Sequence, residues 1–247
     1  MSEKEVLLFP FSCCVIALYD LQIFIYCVHI FYIGLIICWN NISKIEKKQI
    51  EIFIKIYNNL QILLSGIMSI LGFYIFINNL KNPLLLHNYE SNNLIRNFLL
   101  LHAFSKILDF IDTIILIIIN KPFTILHTYH HLTIGLIWFY IRDKNINSVY
   151  VSALLNSIVH TIMYSYYNYS NVLKPLKKYI TYIQLLQFVL SIIHAMIFYL
   201  YSSDEYIGYA YFQIFYHISM IILFSNFYYN TYVCKETDHV NIDKLHL

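Results

Sequence analysis

The sequence predicts an all-α polytopic membrane protein, with seven transmembrane helices forming a single bundle over residues 1–247. Three observations predict it. Of the 247 residues, 59% are hydrophobic and 12% are charged, and the mean hydropathy is +0.60; a soluble domain of this length could not keep so much apolar surface from water. The apolar residues fall in runs of about 20, the length at which a helix crosses the hydrocarbon core. Short polar breaks at 40–48, 88–93, 142–147 and 171–178 separate those runs.

Taken in order, MSEKEV lacks the basic n-region and small-residue cleavage site of a signal peptide, so the N-terminal segment is expected to be retained. Residues 6–19 are apolar but only about 14 long, with Pro10 inside, and are expected to lie at the interface. Spans follow at 22–39, 59–79, 95–119, 123–141, 146–167, 179–202 and 207–231, then a tail over 232–247. There is no internal repeat and no second domain. Cys13, Cys14, Cys27, Cys38 and Cys234 form no CxxC pair, so neither a disulfide framework nor a zinc site is indicated. A net charge of +2 without a dense basic run argues against a nucleic-acid partner.

Loop lysines orient the bundle. Lys44, Lys47, Lys48, Lys55, Lys121, Lys174, Lys177, Lys178, Lys235 and Lys244 fall on one face, against Lys4, Lys81, Arg96, Arg142 and Lys144 on the other. The richer face is expected to be cytosolic and to hold the C-terminus, with the N-terminus lumenal.

Ionisable residues inside a span are costly and usually face a cavity or the bundle interior. Four successive spans carry them. Span three has Lys106, Asp109, Asp112 and Thr113; the first three lie on one helix stripe, and Lys106 can pair with Asp109. A buried ion pair that only fixes packing is the alternative there. Span four opens with His127, Tyr129, His130 and His131, three imidazoles within five residues, a crowding that packing alone would not favour. Span five sets Asn156, His160, Tyr164 and Tyr167 on one face, where Asn156 and His160 each need a partner in a dry bundle. Span six brings Thr181, Gln184 and Gln187 at three-residue steps, with His194 further along the stripe; interhelical hydrogen bonding is an open alternative for these amides.

Depth tests whether these sets meet. Asp112, His130 and His160 each lie about 10 Å from the cytosolic end of their span, and Gln184 about 8 Å. Helices running in alternating directions therefore deliver polar groups to one layer. That layout predicts one site, open to the cytosol and floored by an apolar lumenal half, a tunnel suited to a ligand with a polar head and a long apolar tail.

The motifs themselves resemble a family. KILDFIDT, HTYHH, NSIVHTIMYSYY and TYIQLLQ are similar, in order, to the KxxExxDT, HxxHH, NxxxHxxMYxYY and TxxQxxQ boxes of the very-long-chain fatty acid elongases. Tyr57 and Asn58, and Leu223, Phe224, Phe227 and Tyr232, resemble two further family positions. Two features depart from the pattern. Asp109 stands where the family usually has Glu, and the C-terminal KLHL lacks the lysine of a dilysine retrieval signal. The resemblance implies residence in the endoplasmic reticulum membrane and condensation of a long acyl-CoA with malonyl-CoA to a 3-ketoacyl-CoA, carbon dioxide and CoA, with no other cofactor. It implies His130 as nucleophile, His127 and His131 as groups that orient it or move protons, and His160 and Asn156 as donors to the thioester carbonyl or malonyl carboxylate. Lys106, Asp109, Asp112, Tyr164, Tyr167, Thr181, Gln184 and Gln187 are the implied substrate-binding set. Lys121, Lys174, Lys177 and Lys178 are placed to attract the anionic head. Ketoacyl-CoA reductase, dehydratase and enoyl reductase are the implied partners, and a homo-oligomer is left open. Bulky Tyr199, Tyr201 and Tyr209 near the lumenal ends of the last two spans are expected to close the tunnel.

Two other classes stay in view. HxxHH is also a ligand box of membrane di-iron desaturases and hydroxylases, but these need about eight imidazoles, and after HTYHH the spans offer only the isolated His160, His194 and His217. A seven-span receptor or transporter is the non-enzymatic alternative. A transporter is expected to show helices interrupted by Gly or Pro near mid-membrane, and spans three to six hold no proline.

Overall fold

The computed structural model describes residues 21–84, 92–141, 144, 146–201 and 204–234. The interfacial segment expected at 6–19 and most of the tail lie outside the described residues. Among the described residues every regular element is helical. The elements are α1 (Leu21–Ile37), α2 (Glu51–Asn78), α3 (Asn93–Leu108), α4 (Phe110–Ile118), α5 (Ile125–Ile141), α6 (Tyr150–Asn168), the single turn α7 (Ser170–Leu173), α8 (Lys177–Tyr201) and α9 (Ile207–Tyr228).

Each predicted span contains helix, with three revisions to the boundaries. The second begins at Glu51, because Glu46 and Gln49 close a capping box on the turn Lys47–Ile50 that leads into α2. The sixth is continuous with α7 and the Pro175 turn, so the break expected at 171–178 is helical. The third is not one helix. At Asp109 the ladder passes from a four-residue step, Asp109 N–H to the Ser105 carbonyl at 3.1 Å, to a three-residue step, Asp112 N–H to the Asp109 carbonyl at 3.1 Å. The helix therefore tightens and divides there.

Lys47–Asn78, Ser170–Tyr201 and Asp204–Val233 are long and apolar enough to cross a membrane. The others are short, as α1 and α5 are, or carry the polar residues of the predicted site. α2 packs along α6, α8 along α9 and α3 against α5. A Cβ at Gly72 of α2 would stand 2.8 Å from Leu154 Cδ1 of α6, so glycine is what permits that approach. The core between the helices joins Met68, Ile95, Phe98, Ala103, Ile134, Trp138, Ala153, Phe188 and Met220.

Candidate active site

The entry of α5 follows from its local sequence. α4 closes with the Lys121 N–H on the Leu116 carbonyl at 2.9 Å and Asn120 at φ 53°, the left-handed cap that asparagine tolerates. Pro122 follows, and the Thr124 hydroxyl accepts from the His127 N–H at 3.2 Å, capping α5. His127, His130 and His131 thereby fall in the first turns. The rings of His127 and His131 lie 4.2 Å apart and those of His130 and His131 5.3 Å apart.

These histidines face a cavity of about 500 Å³. Of the predicted residues, His127, His130, His131, Asn156, His160, Asp112, Tyr167, Gln184 and Gln187 line it, so four spans contribute to one cavity. Asn58, Met163, Phe188, Phe224 and Phe227 complete much of the wall, and Lys47 and Lys121 belong to it as well. Asn156 Oδ1 and His131 Nδ1 are buried without a hydrogen-bond partner among the described residues. Such atoms are costly unless a ligand or water meets them.

Lys106, Asp109, Tyr164 and Thr181 do not line the cavity; all four are buried. Lys106 Nζ donates to Asp109 Oδ2 at 3.3 Å and toward His160 Nε2 at 3.5 Å. Asp109 thus makes its ion pair despite its short reach. Tyr164 donates to Asp112 Oδ2 at 2.6 Å and lies 3.2 Å from Asp109 Oδ1, so this tyrosine bridges both carboxylates. Gln61 of α2, which belongs to none of the four boxes, sits in the middle. Its Nε2 is 2.8 Å from Asp109 Oδ1, 2.9 Å from the Tyr57 hydroxyl and 3.2 Å from that of Tyr164. The one signal for it in the sequence is its helical spacing from Tyr57.

The half of the bundle beyond this cavity, expected from the sequence to be an apolar floor, holds polar groups. His194 Nε2 is 2.8 Å from Ser148 Oγ, and Gln213 Nε2 donates to Ser152 Oγ at 2.9 Å and to the Ser191 carbonyl at 3.2 Å. Ser148, Ser152, His194, Gln213 and His217 border a second cavity of about 50 Å³. Polar residues from α6, α8 and α9 find one another there because a dry bundle leaves them no other partners. His194 therefore belongs to this second set, although it lies on the Gln187 stripe. The Phe188 ring stands between the cavities, lining the first and lying 6.0 Å from the His217 ring and 5.2 Å from that of Phe224. Among the predicted cytosolic lysines, Lys177 and Lys178 lie over the rings of Tyr232 and Tyr228. Among the described residues no group of three His, Cys, Asp or Glu side chains converges in a way that would hold a metal ion.

Apolar helices around a buried layer of imidazoles, amides and carboxylates define a multi-pass membrane protein with a histidine-lined cavity. The ELO family model, GNS1/SUR4, matches residues 17–240. The chain belongs to that family. It is 42% identical over 163 residues to "Very long chain fatty acid elongase 5" of Homo sapiens, covering 61% of this chain and 54% of that one. The protein of the same name from Tachysurus fulvidraco is 41% identical over 156 residues, 60% and 53% of the two chains. The Rattus norvegicus protein is 42% identical over 151 residues, 58% and 50%. The chain thus spans about half the length of the curated relatives it matches. No solved structure matches it.

Proposed function

We propose that the protein elongates fatty acids by condensing a long-chain acyl-CoA with malonyl-CoA to a 3-ketoacyl-CoA, carbon dioxide and CoA. The observation that carries this reading is the convergence of His127, His130, His131, Asn156 and His160 on one cavity in a chain of the ELO family. A ring nitrogen of His130 attacks the thioester carbonyl, and the carbon–sulfur bond breaks to release the thiolate, which takes a proton to become CoA. Loss of carbon dioxide from malonyl-CoA leaves a carbanion at its α-carbon. That carbon attacks the acyl-imidazole, the carbon–nitrogen bond breaks and its electron pair returns to the ring. His160 and Asn156 supply donors to the developing oxyanion. Asp112, Tyr167, Gln184 and Gln187 shape the polar end. Lys106, Asp109 and Tyr164 act from behind the wall by holding His160 and Asp112. Lys47 and Lys121 meet the anionic head.

In this reading the seven helical passages all cross the endoplasmic reticulum membrane, with the N-terminus lumenal and the C-terminus cytosolic, and the acyl tail runs inward between them. Ketoacyl-CoA reductase, dehydratase and enoyl reductase would consume the product.

Microsomes expressing the chain, assayed with malonyl-CoA and a panel of acyl-CoAs, test the proposal. Wild type is expected to form 3-ketoacyl-CoA, and His130→Ala to lose at least about 100-fold in rate, as for an essential catalytic group. Full activity in His130→Ala would remove it as nucleophile. Iron near two atoms per purified chain would instead support a di-iron enzyme.

A further inference from the structure

A row of three polar groups ties α1 to the histidine cluster. Tyr32 of α1 is 1% exposed, its ring stacked on Phe110 at 4.3 Å. Its hydroxyl lies 3.0 Å from Thr113 Oγ1 of α4, and that oxygen lies 2.7 Å from His127 Nε2 of α5. Thr133 and Thr161 donate to carbonyls four residues back in their own helices. Thr113 instead turns its hydroxyl toward the two other helices.

The direction of this row follows from counting protons. A threonine hydroxyl has one proton and two lone pairs; Tyr32 and His127 are the hydrogen-bond partners of Thr113 Oγ1 among the described residues, so its proton is satisfied only if it donates to one of them. The Tyr32 hydroxyl is buried, and Thr113 Oγ1 is its hydrogen-bond partner among the described residues. Were Thr113 to donate to Tyr32, the phenolic proton would be left buried against Phe110 without an acceptor, which is unfavourable. Tyr32 therefore donates to Thr113, and Thr113 donates to His127 Nε2. That nitrogen must present its lone pair.

We propose that Tyr32 is a positioning residue that, acting through Thr113, holds neutral His127 in the tautomer protonated at Nδ1. The lone pair of Nε2 is then occupied and the ring offers an N–H, so His127 orients its neighbours and the proton-accepting role passes to His131, whose buried Nδ1 has no hydrogen-bond partner among the described residues. This last consequence rests on the condensation reading; the tautomer does not. A helix outside the four sequence boxes thereby sets the state of a residue inside one of them.

The full chain in nanodiscs, with isotope-labelled histidine nitrogens, gives the test by NMR, the His127 signals being assigned by their loss in His127→Gln. Wild type is expected to show a protonated Nδ1 and an unprotonated Nε2 at His127. Without the Tyr32 hydroxyl the Thr113 proton can turn to a carbonyl of its own helix, as those of Thr133 and Thr161 do, leaving its oxygen to accept from His127, so Tyr32→Phe is expected to move His127 toward the tautomer protonated at Nε2. Protonation at Nε2 in wild type overturns the proposal, and so does a spectrum unchanged in Tyr32→Phe. Should Tyr32→Phe not fold, the wild-type spectrum decides alone. In the condensation assay Tyr32→Phe is expected to lower kcat about tenfold with little change in KM, as when a reacting group loses orientation. The spectrum needs no substrate, so failure of the tautomer assignment and failure of the condensation reading are separable.

Discussion

The Gln61 side chain ties three buried groups of the site together and contributes nothing to the cavity wall. Its amide is shared among Asp109, Tyr57 and Tyr164, all buried. Replacing it by leucine keeps the volume but removes the donor from a buried carboxylate, which costs about 1–3 kcal/mol. Gln61→Leu is expected to lower the melting temperature of the purified protein and to slow turnover, because Asp109 loses a fixed partner while holding Lys106 near His160. An unchanged melting temperature would mean that water replaces the amide. The sequence did not single out this residue. One glutamine in an apolar helix reads as an isolated interhelical hydrogen bond, and only the fold shows that α2 runs beside both Asp109 and Tyr164. His127, His130, His131, Asn156 and His160 were legible for the opposite reason: crowded or unpartnered polar groups in spans have few structural explanations.

At the level of elements, the sequence exposes helix ends better than helix pairings. Pro122 and Thr124 announce where α5 begins, and the histidines fall accordingly in its first turns. The division at Asp109 is hidden because apolar periodicity passes through it and only the hydrogen-bond step changes. The pairing of α2 with α6 is hidden too, since glycine in a span marks close approach without naming the partner. The structure names Leu154, with Cδ1 2.8 Å and Cβ 3.0 Å from a Cβ at position 72. Gly72→Ala is therefore expected to destabilise the bundle by about 1–3 kcal/mol, as overpacking does. Leu154→Ala in the same chain should recover part of that loss, because the two sites then share the space. A double-mutant cycle on thermal stability measures the coupling. Strict additivity would show that α2 and α6 relax apart without resisting the added methyl.

Over the whole molecule, the depth arithmetic foresaw the layer where four helices meet and missed the second polar set beneath it. Ser148, Ser152, His194, Gln213 and His217 come from three helices and the turn before α6 and share no motif, so nothing in the sequence brings them together before the helices are packed. Their position refines the question of where an acyl tail would end. A tail anchored at His130 and passing Phe188 would reach the second cavity, which Tyr209 lines, braced between the rings of Tyr140 and Tyr206 at 6.3 Å each. Tyr199 and Tyr201, expected from the sequence to share that role, are 39% and 53% exposed and do not line the second cavity. The three tyrosines should therefore separate by experiment. Tyr209→Ala is expected to shift the longest product by at least one malonyl-derived unit, since removing a ring opens space at the end of a close-packed path. Tyr199→Ala and Tyr201→Ala should leave product length as in wild type. Chromatography of products from an acyl-CoA panel reads this directly, and a longer product from Tyr199→Ala or Tyr201→Ala with none from Tyr209→Ala would place the tail on the outer face of α8 rather than in the second cavity.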